Sequence, residues 1–141
     1  MTAELADAPR RTHLPEHLHL RAPMPGLAGY EDFTLTPLDD AGVLYALRAE
    51  PAGARPVRLF VVDPDAFFPD YDPAIAGDVL ASIGADAEHA VRLVVVRPAD
   101  GGEPPTANLL APLVVDPASG AAVQTVLTED WPLRAPLAPA A

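Results

Sequence analysis

Leu59 to Tyr71 read LFVVDPDAFFPDY, and three of the four phenylalanines of the chain fall inside this stretch. Leu59, Phe60, Val61 and Val62 form a short run of β-favouring apolar residues. Asp63-Pro64 ends it, since the residue before a proline is pushed out of the helical region and aspartate favours turns. A buried strand that leaves the core into a turn is therefore predicted. Beyond it, Phe67 and Phe68 sit between Pro64 and Pro69, beside Asp63, Asp65, Asp70 and Tyr71. A segment this stiff and this apolar is not an ordinary solvated loop. Two readings stand. The phenylalanines plug the end of the core, or Asp63, Asp65, Phe67, Phe68, Asp70 and Tyr71 form a partner-facing surface, with aromatic anchors in a negative rim.

Working outward, 141 residues suffice for one domain with its own core. The expected division is a disordered tail over residues 1–12, a folded domain over 13–137 and a short tail over 138–141. The N-terminal MTAELADAPRRTH has acids and arginines but no apolar centre, so neither a signal peptide nor an anchor is expected there. No apolar run approaches the roughly 20 residues that span a bilayer. With no cysteine, disulfides and thiolate sites are excluded. A cytoplasmic, monomeric protein is the expectation.

Twenty acidic against nine basic residues leave a formal charge of -11, and every base is an arginine. Without lysine there is no Walker-type phosphate loop and no Schiff-base chemistry. Direct nucleic-acid binding has the wrong sign of charge, because phosphate neutralisation supplies much of that affinity. A basic protein is the natural complement. Seven acids and no arginine lie between Leu59 and Val91, which predicts a negative side of the fold.

The remaining elements read as a small all-β or nearly all-β sheet curled on itself. Strands are predicted at Leu18–Ala22, Phe33–Leu38, Val43–Leu47, Leu59–Val62, Ala90–Arg97, Ala107–Val115 and Ala122–Thr128. Asp39-Asp40-Ala41-Gly42 suits a tight connection between antiparallel neighbours. One helix is predicted after Tyr71, with Asp72 as its cap, Pro73 in its first turn, Ile75, Val79, Leu80 and Ile83 on one face, and Gly84 at its end. Trp131 to Ala141 is proline-broken and reads as mostly irregular.

Groups that could do chemistry do not converge. The two serines, Ser82 and Ser119, lie in no GxSxG elbow, and no glycine-rich loop has dinucleotide spacing. Asn108 reads as a polar group that fixes a turn at a strand end. His13, His17 and His19 form an HxxxHxH cluster in which His17 and His19 share one face of a strand. A metal-binding barrel using these three is the alternative reading. Beyond the same-face pair His17 and His19, a site needs a third and usually a fourth ligand with a second shell, and nothing nearby has recognisable spacing, so no metal or cofactor is expected.

Several motifs resemble one family. Asp63 to Tyr71, DPDAFFPDY, resembles the DPxxFFPDY signature of the flagellar assembly factor FliW family. Gly26 to Tyr30 (GLAGY) resembles its GLPGF, with Ala28 in place of proline; Thr106 to Val115 (TANLLAPLVV) resembles its TANLxAPLVV. Gln124 to Leu127 resembles its QxVL, and Trp131 to Leu137 its YxxRxPL, with Trp131 in place of tyrosine. The likeness covers about residues 18 to 137, while His13 to Arg21 departs from the family's opening TKYHGxI strand. The resemblance implies a cytoplasmic, non-enzymatic regulator with a small buckled β-barrel-like (pseudobarrel) fold and one short helix. It implies binding of the translational repressor CsrA and of flagellin, relieving repression of flagellin mRNA. A flagellin export chaperone without a translational role is a further alternative.

Overall fold

In a computed structural model, residues 14–24, 26–51, 53–99 and 101–137 are described; the expected tails and His13 lie outside them. The chain order is β1 (His17–Leu20), β2 (Asp32–Pro37), β3 (Leu44–Ala49), β4 (Val57–Val62), α1 (Gly77–Ile83), β5 (Val91–Arg97), β6 (Thr106–Ala107), β7 (Leu113–Val115), β8 (Ala121–Gln124) and β9 (Ala135–Pro136). The strands run β4-β3-β2-β1-β8-β7-β5 side by side, and β4 pairs again with β5, so seven of them close a barrel. Neighbours are antiparallel except β1 and β8. The small β-barrel with one short helix read from the sequence is the fold that forms.

Alternation decides which face goes inside. Leu18 and Leu20 on β1 point inward while His17 and His19 point out, and Phe33 and Leu35 do the same on β2. Leu47, Val61, Leu93 and Leu113 complete the barrel interior at 0% exposure. Fully burying a side chain of this kind contributes about 1.5–3 kcal/mol, so the interior is the main source of stability. Two further apolar clusters lie on the outer face. One is built on Val62, Val94, Val96 and Tyr71; the other places Ile83 of the helix on Val114 and Ala121.

The predicted strand Ala107–Val115 is in fact two. Ala107 stands opposite Val96 and Leu113 opposite Leu93, so residues 108–112 bulge out against only Val94 and Val95. Asn108 holds the bulge, its side-chain oxygen accepting from Leu110 N at 3.1 Å and Ala111 N at 3.0 Å. The last predicted strand also stops early, at Gln124, because the chain leaves the barrel to follow that bulge: Thr125 N donates to Pro112 O and Leu127 N to Leu110 O. The C-terminal stretch read as irregular contributes β9, which pairs with β6.

The helix is shorter than predicted, and Asp72 does not cap it. Its N-cap is Ala76, with no side-chain cap, and Asp72 lies four residues before that. Residues 72–76 are not helical; Pro73 is buried, and Arg92 reaches Asp72 Oδ1 and Pro73 O at 3.4 Å each. Gly84 does end the helix, in the left-handed conformation with φ 72°. Asp39 closes the β2–β3 connection, accepting from the backbone N–H groups of Gly42, Val43 and Leu44.

Gly120 fixes β1 from the side opposite β2. Its φ is +86°, and a Cβ there would lie 2.5 Å from His17 O, a backbone atom with nowhere to retreat. Gly29 has φ +90° but open space around its missing Cβ. Gly120→Ala should therefore destabilise by about 2 kcal/mol or more, against about 1 kcal/mol for Gly29→Ala. Urea unfolding of the two variants measures the difference; equal losses would mean that the close approach to β1 does not matter.

Candidate partner-binding site

Where β4 ends, Asp63 turns the chain. Its N–H donates to Val43 O at 2.8 Å, and its carboxylate caps a single 3₁₀ turn, Pro64–Ala66, by accepting from Asp65 N at 3.0 Å. Proline in the first position pre-sets the turn. Phe67 N and Phe68 N both donate back to Pro64 O, so the two aromatic side chains leave the backbone on adjacent, fixed positions. Their ring centroids are 6.4 Å apart with planes inclined at 50°.

Of the six residues predicted to face a partner, the structure divides the work. Asp65 and Asp70 are exposed and make no ion pair among the described residues, and Phe67 is 38% exposed. Phe68 is half-buried against the outer apolar cluster, so the core-plug reading holds for it and not for Phe67. Asp63 is the turn's cap. Tyr71 departs from the expectation: at 2% exposure it faces inward and offers nothing to a partner. Its hydroxyl donates to Leu109 O at 2.7 Å, and its ring meets Trp131 edge-on with centroids 4.7 Å apart. Tyrosine is needed there because the ring fills an apolar site whose far wall is a carbonyl of the 108–112 bulge.

Burial, with a smaller contribution from Glu129 and an opposing one from Arg92, pushes the Tyr71 phenol up to about 12. The neutral form is thus favoured by folding. Its contribution is complete below the ordinary phenol value near 10 and is lost as pH rises from there through about 12. Tyr71→Phe should cost about 1–3 kcal/mol, because it leaves the Leu109 carbonyl without its partner. Alkaline unfolding that sets in no differently in Tyr71→Phe than in the parent would refute that role.

Three exposed apolar residues that the sequence reading did not assign to a partner-facing surface lie on the segments around this corner. Leu38, 42% exposed, is in the β2–β3 connection, whose Val43 carbonyl receives Asp63 N–H. Val126, 69% exposed, and Leu133, 59% exposed, flank the strip that hydrogen-bonds to the bulge through Leu127 N and Pro132 O. The QTVL and WPLR motifs contain both, but a motif says nothing about which side chain turns outward. Glu129 adds an acid to the same neighbourhood, its carboxylate accepting from Trp131 Nε1 at 2.8 Å.

The acid-rich stretch is partly compensated. Asp72 meets Arg92, and Asp86 meets His89 Nδ1 at 2.8 Å while also accepting from His89 N at 3.0 Å. The imidazole hydrogen bond lowers the Asp86 pKa, and the same bond raises that of His89. Both groups are fully exposed, so the pair is a salt-sensitive surface clip. Its contribution is present between the ordinary carboxylate and imidazole ranges, from about pH 4 to about 6.5. It falls away as pH drops through the lowered Asp86 value or climbs through the raised His89 value. An NMR titration should place the His89 midpoint above that of an ordinary histidine, and Asp86→Asn should bring it back.

Neither serine is poised as a nucleophile. Ser82 Oγ donates to Val79 O and Ser119 Oγ to Asp116 Oδ2, both within local turns of chain. The histidine cluster divides: His17 and His19 share the outer face of β1, while His13 is outside the described residues. Among the described residues, Asp86, Glu88 and His89 bring three potential ligand atoms within 4.8 Å of one another, all exposed. No described helix is long and apolar enough to cross a membrane.

A small closed β-barrel, strapped on its outer face by a proline-stiffened segment, is the class that this fold defines. Residues 8–137 match the family described as FliW protein, and the chain belongs to that family. It is similar to the flagellar assembly factor FliW of Heliobacterium modesticaldum, 32% identical over 117 residues that cover 81% of this chain and 75% of that one. The flagellar assembly factor FliW of Treponema denticola is 32% identical over 107 residues, 74% of this chain and 71% of its own. A crystal structure of the flagellar assembly factor FliW superposes with a TM-score of 0.74 at 20% identity, over 93% of this chain and 92% of that one, and so shares the fold. The family is not a known enzyme family.

Proposed function

We propose that this protein is a flagellar assembly factor that works by holding other proteins: a basic translational repressor of the CsrA type and flagellin before it is polymerised. In this reading, flagellin occupies the factor, the repressor is released, and flagellin translation falls until export drains the pool. The output is then a difference in binding free energy between two partner states, which needs no catalytic group. The observation that carries the reading is the corner at Asp65, Phe67 and Asp70, where an exposed aromatic stands between two exposed carboxylates that make no ion pair among the described residues, on a backbone held by local hydrogen bonds. Aromatic anchors supply affinity and rim charges supply steering and selectivity.

The distribution of charge supports an oriented approach. On the β3–β4 hairpin, Leu44 pairs with Val62 next to the corner, and Arg48 pairs with Arg58 four residues further along. Arg48 is ion-paired with Glu50 at 2.6 Å, so the positive charge at that end is carried by Arg58, about 13 Å from the corner along the strands. A basic partner is drawn to the Asp63–Asp70 end and away from Arg58, and RNA is repelled from the acidic end.

The double variant Asp65→Arg/Asp70→Arg should weaken binding of purified CsrA at least about tenfold, equivalent to 1.4 kcal/mol, with the melting temperature almost unchanged. Phe67→Ala should weaken flagellin binding by a comparable factor. Calorimetry with each partner alone and with both together is the test. Flagellin binding without any repressor binding would favour the export chaperone, and unaltered affinities in both variants would remove this corner from the interface.

A further inference from the structure

The HxH motif on β1 is absorbed by none of this, and its surroundings are specific. His17 and His19 are two residues apart on a strand, so both imidazoles stand on the outer face with Cα atoms about 7 Å apart. β1 is held on both edges: by β2, with His19 opposite Asp32 and His17 opposite Thr34, and by the 120–122 segment, where Gly120 O accepts from His19 N at 2.8 Å. The two histidines, Asp32, Thr34 and Ser119 line one depression of about 360 Å³. His19 Nδ1 lies 2.7 Å from Asp32 Oδ1. With Nδ1–H donated to that carboxylate, the lone pair of His19 sits on Nε2, which has no hydrogen-bond partner among the described residues.

A carboxylate behind one ring nitrogen and an open lone pair on the other is the arrangement that orients histidine as a metal ligand and strengthens its basicity. We propose that His17 and His19 bind one divalent transition-metal ion of the zinc, nickel or copper class, with Asp32 as the positioning residue behind His19. Two imidazoles on one face of a strand, lining one depression, can share an ion whose bonds to nitrogen are about 2 Å long, with water filling the other positions. Imidazole donors select these metals over magnesium and calcium, which prefer oxygen. The Asp86, Glu88 and His89 group is the rival within the same chain, but it has a single imidazole, and its Asp86 is already engaged as the cap of its own turn.

Zinc titration of the full, tag-free chain by calorimetry tests this. One equivalent should bind; His17→Ala and His19→Ala should abolish saturable binding, Asp32→Asn should weaken it about 10-fold or more, and His89→Ala should leave it unchanged. Should a variant fail to fold, the parent protein still decides the matter, since zinc must move the imidazole ¹⁵N resonances of His17 and His19 and not those of His89. Absence of saturable binding, or binding lost in His89→Ala and retained in His17→Ala and His19→Ala, would overturn the proposal.

Discussion

One buried hydrogen bond joins the two most distinctive segments of the chain. Tyr71, at the end of the proline-stiffened signature, donates its hydroxyl to the carbonyl of Leu109 in the bulge between β6 and β7. A buried carbonyl outside a sheet ladder must find a donor somewhere, and no solvent reaches this one beneath Tyr71. The signature therefore lies as a strap across the outer face of β4 and β5, not as a free loop. Trp131 closes the other side of the same ring, so the C-terminal strip is drawn into the arrangement as well.

The rest of the outer face follows from that strap. Val62, Val94 and Val96 are apolar on the outside of a barrel, which makes sense only because Tyr71, Phe68, Leu109 and Leu127 cover them. The helix covers Val114 and Ala121 in the same manner. On β1 and β2, where no described apolar cluster covers the outer face, the outward residues are His17, His19, Asp32, Thr34 and Thr36. Polarity on the outer face thus tracks coverage strand by strand. The segment that covers β4 also has to expose what it cannot bury, and its leftovers, Phe67 with Asp65 and Asp70, make the corner.

In the proposed reading, rigidity is what suits this corner to recognition. A side chain whose backbone is already fixed loses less freedom on binding, so more of its contact energy appears as affinity. Pro64, the Asp63 cap and the paired N–H groups on Pro64 O supply that fixation locally. Tyr71 supplies it from below. Two of the six residues picked out from sequence thus serve the surface from beneath it, as its cap and its anchor.

By itself the sequence determined the β-rich class, most strand positions, the Asn108 turn, the Gly84 helix end and the motif set of the family, because all of these are written in local alternation, turn chemistry and short spacings. It also singled out the stretch that carries the candidate site. Only the tertiary structure decided which of its side chains face water. Phe67 and Phe68 are chemically identical neighbours, and nothing local tells them apart; they differ because Phe68 meets an apolar cluster assembled from β4, β5 and the 108–137 strip. The split of residues 106–115 into two strands, the loss of Asp72 as a cap to Arg92, and the placing of Asp32 behind His19 arise likewise from partners distant in sequence. Periodicity along a chain specifies which residues share a face, but burial and hydrogen-bond satisfaction depend on what the closed barrel brings against that face.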